Sequence, residues 1–386
     1  MYKINYLDFG INGCGLTNQI YFLITGIIIA YYEKKNIIIV KNFLDDYNNK
    51  YKKTAISHIF DLQKINSFLT KTYNLSLVDV DNLKFKLNYV KCGDNDIIKS
   101  NCVKFSSNKL YITNKNHMKL DILYSINNIT INEVHYNDVM FDISKSNFEV
   151  TKGMPHTIDQ IMFDNILLNI HYNSIFLEIM NKFYKNININ NKINVIHLRL
   201  ENDAIVHWHK HNNMDKSTFL VNLENKYIDI IKHYINKTDL TIILTSSLEN
   251  NVINFLKNQK YNYKLTNKLF TGREKNAIID LLVATKCNNI FLSVEASTFS
   301  FYISKLIRNN VKQLSFNLCN ISEDIKIINT CTPLIYDKNK IEQNLHNFYI
   351  RAKNRRKKLY LRYLLNYYFL PLIFILLNIT GIYLLI

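Results

Sequence analysis

The alternation of apolar and polar positions divides the chain into a legible second half and a diffuse first half. Residues 193–198, 240–245, 289–293 and 311–316 are short, almost continuously apolar runs, and they alternate with amphipathic stretches at 216–236, 248–257, 273–286 and 298–308. Buried runs separated by helix-length segments predict β-α-β units, hence a parallel, doubly wound sheet covered on both faces. The N-terminus opens the same way, with a strand over 3–9, a glycine-containing loop over 10–18, a buried helix over 19–32 and a second strand over 37–40. From 42 to 188 the pattern blurs. A strand over 109–113 and one helix over 158–184 are its clearest elements, with long insertions between regular structure.

The C-terminus has a different pattern. Residues 363–386 run without a charged side chain, and as a helix of about 1.5 Å rise per residue they would span roughly 36 Å, enough for a hydrocarbon core of about 30 Å. Pro371 would kink this helix, and Tyr363, Tyr367 and Tyr368 suit the interface. Seven Lys or Arg residues between 351 and 362 precede it. Basic residues on that side predict a single-pass, C-terminally anchored protein whose globular part faces the cytosol.

Composition narrows the picture. A chain of 386 residues is too long for one ordinary core, and 48% hydrophobic with 13% aromatic residues excludes a disordered protein. The abundance of Asn, Ile, Lys and Tyr beside 8 Gly and 3 Pro matches an AT-rich coding sequence, such as that of a large DNA virus or certain protists. The net charge of +17 invites nucleic acid, but the lysines are scattered and the densest basic cluster adjoins the expected membrane span, so no nucleic-acid partner is expected. Six cysteines without a C-x-x-C pair give neither zinc-ribbon nor disulfide-framework spacing. Free thiols in a reducing compartment, with no signal peptide, follow.

The chemistry concentrates at INVIHLRLENDAIVHW, residues 193–208, where His197, Arg199, Glu201 and Asp203 follow an apolar strand. The carboxyl end of a strand in an open α/β sheet is where ligands bind. A guanidinium there suits phosphate or carboxylate, so the ligand is expected to be anionic; the plain alternative is a surface ion pair of Arg199 with Glu201 or Asp203.

His197-Leu198-Arg199 followed by an acid resembles the HxR motif of the GDP-fucose-dependent fucosyltransferase superfamily, which includes the protein O-fucosyltransferases and the α-1,2 and α-1,6 enzymes. Gly13-Cys14-Gly15-Leu16-Thr17-Asn18-Gln19 resembles its G-x-x-N-Q loop, and Arg273-Glu274 through Asp280 to Ser297-Thr298-Phe299 resembles its D…S-[ST]-F block. The three stand in the family's order. The resemblance implies a GT-B-like α/β architecture of two Rossmann-like domains facing across a cleft. The sequence places an acceptor-side domain at 1–188, a GDP-sugar-binding domain at 189–335, a basic linker at 336–362 and the transmembrane helix at 363–386. It also implies a metal-independent glycosyl transfer, with no cofactor, from a GDP-sugar, GDP-fucose favoured, to a hydroxyl of a glycan or protein acceptor. Carried over residue by residue, Gly13 and Gly15 make room for the donor and Asn18 touches it; His197 and Asp280 meet the guanine end. Arg199 holds the β-phosphate, and Ser297, Thr298 and Phe299 cap the phosphates. Asp203, then Glu201, are candidate general bases, or else orienting partners of Arg199. The sequence departs from the family at HLRLEND, which lacks the second arginine of the H-x-R-R-x-D form, so linkage and acceptor stay open.

Other features compete with this reading. Val78-Asp79-Val80-Asp81 contains a D-x-D that in other glycosyltransferases holds a metal-bound nucleotide sugar. His207 and His211 stand four apart beside Trp208, a zinc-compatible spacing, though a solvated or acceptor-facing loop is the simpler reading. Ser297 as a plain helix cap and Asp280 as a helix-surface acid are the structural alternatives at the last motif. An inactive nucleotide- or glycan-binding protein, or a membrane-bound scaffold, are the other functional classes.

Overall fold

A computed structural model of the chain describes residues 3–8, 15–32, 34, 36–40, 43–44, 53–79, 103–106, 109–112, 124–126, 129–135, 159–185, 187, 192–266, 269–270, 272–295, 297–307, 311–328 and a few positions between 338 and 350. Two sheets organise them. In the first, β1 (Lys3–Asp8) lies between β2 (Ile37–Val40) and, further along the chain, the strand Ile129–His135; all are parallel. The two-stranded pair β3 (Phe43–Leu44) and β4 (Lys53–Thr54) stands apart, and β5 (Ser76–Asp79) extends the sheet beyond β2 in parallel. A second pair, β6 (Val103–Ser106) and β7 (Lys109–Ile112), is also separate. β8 (Tyr124–Ile126) closes the far edge as an antiparallel hairpin with the strand at Ile129–His135, which is β9. The order β5-β2-β1-β9-β8 is a doubly wound arrangement.

The second sheet is the one predicted from the apolar runs. It comprises β10 (Ile193–His197), β11 (Leu240–Leu244), β12 (Tyr263–Leu265), β13 (Ile290–Glu295), β14 (Lys312–Asn317) and β15 (Lys326–Ile328), in the order β12-β11-β10-β13-β14-β15. Every pair is parallel except β14 with β15. All five residues of β10 and of β11 are buried, which explains their unbroken apolar pattern.

The helices are α1 (Leu16–Tyr32), α2 (Leu62–Tyr73), α3 (Gln160–Leu168), α4 (Ser174–Tyr184), α5 (Asn202–Trp208), α6 (Lys216–Tyr234), α7 (Asn251–Asn258), α8 (Arg273–Ala284) and α9 (Thr298–Leu306). The expected single helix at 158–184 is two. The Asn169 amide closes α3 onto the Ile166 carbonyl, Tyr172 pairs with Phe60 as an isolated bridge, and Asn173 then caps α4. A tertiary contact therefore breaks a stretch whose local pattern is helical.

The second sheet has two differently clothed faces. Ile193 and Val195 point into a core shared with α1, α3, α4, α8 and α9, whereas Ile196 and Leu198 pack with Phe219, Leu223 and Tyr227 of α6. With a period of two, His197 and Arg199 follow Val195 onto the first face and Leu198 stays on the other. α1 is the shared piece, with 14 buried residues in a 17-residue helix. It packs on β1, α3, α8 and α9. Further links tie the two halves: Tyr172 donates to Tyr302 (3.2 Å), Tyr184 to the Val283 carbonyl (2.8 Å), and Lys305 pairs with Asp164 (2.8 Å).

No helix among the described residues is long and apolar enough to cross a membrane. The span expected at 363–386 and the basic run at 351–362 lie outside those residues.

Candidate active site

In the second sheet β11 and β12 lie to one side of β10, and β13 and β14 to the other. The carboxyl ends of β10 and β13 therefore flank the topological switch point, where a doubly wound sheet leaves a crevice. His197 closes β10, and Ser297 caps α9 just after β13 by accepting a bond from the Ser300 amide (3.3 Å). The two loops meet directly. His197 Nδ1 and Ser300 Oγ are 2.7 Å apart, and the His197 ring stands edge-on to Phe299 with centroids 5.2 Å apart. The Val294 amide also donates to Ser300 Oγ (3.2 Å), so that one hydroxyl ties the His197 ring to the end of β13. Burial, reinforced by Arg199 and opposed by Glu201, pulls the His197 pKa down to about 4, so the imidazole is neutral at physiological pH.

Arg199 is the centre of a charged chain. Its Nη1 donates to Glu201 Oε2 and its Nη2 to Asp203 Oδ2, each at 2.9 Å, and the guanidinium retains 21% of its exposure. Ser246, from the loop after β11, donates to Glu201 Oε1 (3.0 Å), and Arg273, the first residue of α8, lies 3.8 Å from Asp203 Oδ2. Three strand-end loops are thus joined as Ser246–Glu201–Arg199–Asp203–Arg273. Although burial opposes it, the two carboxylates hold Arg199 above its ordinary pKa. Burial would raise both carboxyls, but Arg199 together with His197 and Ser246 at Glu201, and with Arg273 and the Ala204 amide at Asp203, keeps both below their ordinary values. Both acids therefore stand where orienting partners of the arginine would. Ion pairing costs them basicity.

The remaining expected residues are distributed unevenly. Asn18 lies in the first turn of α1, and its Oδ1 is buried with no hydrogen-bond partner among the described residues. One turn on, the Tyr21 hydroxyl donates to the Thr298 carbonyl (3.0 Å), which brings the start of α1 against the start of α9. A Cβ at Gly15 would meet no atom of the described residues within 4 Å; Gly13 lies outside the described residues. At α9 the amides of Thr298 and Phe299 belong to the first turn, which no intrahelical carbonyl can reach. Asp280 sits half-buried on α8, two turns beyond Arg273.

Two competing features have structural explanations. Asp79 is 1% exposed and accepts from the amide and hydroxyl of Ser57 (3.0 and 2.6 Å), so it ties β5 to the turn before α2; Asp81 lies outside the described residues. His207 and His211 lie on α5 and the turn that follows it, a correction to the expected loop. Ala204, Ile205 and Trp208 are the buried residues of that helix, a helical spacing that was present in the sequence but short. Their rings flank Trp208, with centroids 4.3 Å (His207) and 5.2 Å (His211) away. No group of three or more His, Cys, Asp or Glu among the described residues is arranged to hold a metal ion. Ser300 and Tyr227 were not singled out from the sequence. The first lies one residue past the S-T-F run, and the second occupies an ordinary core position of an amphipathic helix.

No protein-family model matches the chain, and no curated protein matches it. In structure it is similar to the fucosyltransferase NodZ from Bradyrhizobium, with 11% identity and a TM-score of 0.48 over 85% of this chain and 98% of that one. It is also similar to POFUT1 in complex with GDP, with 9% identity and a TM-score of 0.46 over 79% and 94%. A third similar structure is NodZ alpha-1,6-fucosyltransferase soaked with GDP-fucose, with 10% identity and a TM-score of 0.46 over 85% and 99%.

Proposed function

We propose that this chain is a glycosyltransferase that moves a sugar, fucose by preference, from a GDP-sugar to a hydroxyl of a glycan or protein. One observation carries this reading: Arg199 is fixed at the carboxyl end of β10, across the switch point from the start of α9. The diphosphate would lie between that guanidinium and the first-turn amides of Thr298 and Phe299, with the Ser297 cap shaping the turn. Neutral His197 would hydrogen-bond the base through its free ring nitrogen, and Asp280 would accept from the base's ring N–H groups. Asn18 Oδ1, buried without a partner among the described residues, would receive a donor-sugar hydroxyl.

In the transfer, the acceptor oxygen forms a bond to the anomeric carbon while the bond from that carbon to the β-phosphate oxygen breaks, and its electron pair leaves with GDP. Charge grows on the β-phosphate, where Arg199 and the helix amides already stand in place. The acceptor's proton passes to a carboxylate. Of the two candidates, Glu201 has both oxygens engaged by Arg199 and Ser246, whereas both arginines approach Asp203 through Oδ2 alone. Asp203 is therefore assigned as base and Glu201 as the group that orients Arg199. The architecture proposed is two Rossmann-like domains, 1–188 and 189–335, facing across a cleft, with 363–386 as a membrane anchor.

The test is turnover. The chain incubated in EDTA with GDP-fucose, GDP-mannose or UDP-sugars, against a panel of glycan and peptide acceptors, should release GDP fastest from GDP-fucose. Preference for a UDP-sugar, or activity only with added metal, would overturn the proposal.

A further inference from the structure

We propose that Tyr227 is the positioning residue that sets the spacing of His197 and Arg199, and so the grip on the donor diphosphate; this rests on the nucleotide reading given above. Tyr227 comes from α6, on the face of the second sheet opposite to His197 and Arg199. It is fully buried, and its ring packs edge-on against Phe316 of β14 with centroids 5.0 Å apart. Its hydroxyl reaches the end of β10, where it donates to the His197 carbonyl (2.8 Å) and accepts from the Arg199 amide (3.0 Å).

Those two backbone groups need a partner. The pairing of β10 with β11 ends at His197 opposite Leu244, and the Leu198 amide makes the next bond, to the Leu244 carbonyl (3.0 Å). The Arg199 amide, two residues past the strand, pairs with the tyrosine hydroxyl instead of a neighbouring strand. One oxygen closes the carbonyl of residue 197 and the amide of residue 199, which fixes the backbone on either side of Leu198. The side chains of 197 and 199 share a face, so that backbone decides how far the imidazole, held by Ser300, stands from the guanidinium. Burial pushes the Tyr227 pKa far above its ordinary value, so the hydroxyl keeps its proton and its donor role at every working pH.

Tyr227→Phe keeps the ring and removes only the bridge. The decisive readout is backbone amide exchange measured by NMR on the full chain. The Arg199 amide should exchange at least tenfold faster in the variant, the scale of one lost buried hydrogen bond. The Leu198 amide, which bonds to Leu244, should keep its rate. GDP affinity measured by calorimetry should fall about tenfold, and the same substitution in an Arg199→Ala background should cost nothing further. Faster exchange at Leu198 and Arg199 alike would mean a merely structural role and overturn the proposal, as would unchanged GDP binding in Tyr227→Phe. If the wild-type chain binds no GDP, the nucleotide reading fails by itself, and the selective change at Arg199 still decides whether Tyr227 positions the motif.

Discussion

The end of β10 and the start of α1, two regions of the candidate site, are built on opposite principles. At the end of β10 every strong charge is satisfied in advance, as Arg199 spends two donors on Glu201 and Asp203, and Ser246 and Arg273 complete the chain. At the start of α1 no charged side chain stands among the described residues of the helix, one tyrosine hydroxyl reaches across to Thr298, and the Asn18 carbonyl oxygen has no partner among the described residues. A guanidinium must be held rigid if it is to stabilise charge that develops during reaction. A neutral acceptor that receives a ligand hydroxyl can wait unpaired at the cost of a modest desolvation penalty. On the proposed function, the difference separates a preorganised side of the site from a side that a bound donor would complete.

The largest effect should come from breaking the charged side. Arg199→Ala should lower kcat/KM about a hundred- to a thousandfold, the usual cost of losing such a donor, with GDP release as the assay. Arg199→Lys should recover little, because one ammonium cannot fork between Glu201 and Asp203. The next largest concerns His197. Its folded pKa of about 4 lies below the ordinary 6.5, so between those values the unfolded chain binds a proton that the folded one refuses. The stability held in the neutral ring is therefore complete above pH 6.5 and disappears as the pH falls toward 4; it amounts to about 3 kcal/mol. Urea midpoints followed through that window should fall for the wild type, and this part of the slope should be missing in His197→Gln.

Smaller effects probe the apolar side. Tyr21→Phe removes the bond to the Thr298 carbonyl and should cost about 1 kcal/mol in urea unfolding. Asn18→Leu should have the opposite sign, leaving the unliganded protein as stable or up to about 1 kcal/mol more stable, because it replaces an unsatisfied buried oxygen by an apolar group. The same change should weaken nucleotide-sugar binding. A destabilised Asn18→Leu protein would show that Asn18 is structural and erase the contrast between the two sides.

What the sequence could reveal followed burial. The central strands β10 and β11 are buried along their whole length, so Ile193–His197 and Leu240–Leu244 announce themselves as apolar runs. The first sheet takes its third parallel strand from the four residues Ser76–Asp79, where an aspartate paired to Ser57 mimics a metal-binding D-x-D. Too few positions are available there for a period to show. Helix α5 has seven residues and follows directly on the HxR motif, so its buried Ala204, Ile205 and Trp208 were overshadowed by the chemistry before them. Within the site, the charged residues were legible because nothing in a core requires HLRLEND. Tyr227 was not, since Phe219, Leu223, Tyr227 and Ile231 form one apolar stripe, and only the geometry reveals where the hydroxyl goes. That Arg199 pairs with both Glu201 and Asp203 is also a matter of geometry, since the sequence left open which of them it would meet.

The central claim is that Arg199 holds the β-phosphate of a guanine nucleotide. The most direct test is a calorimetric titration of the wild-type chain and Arg199→Ala with GDP, GMP and guanosine, all in EDTA. The wild type should bind GDP at least tenfold more tightly than GMP, as expected for one charge-assisted contact, and in the variant GDP should fall to the level of GMP, with guanosine unchanged. Equal losses for GDP and GMP, or no preference for GDP in the wild type, would contradict the claim.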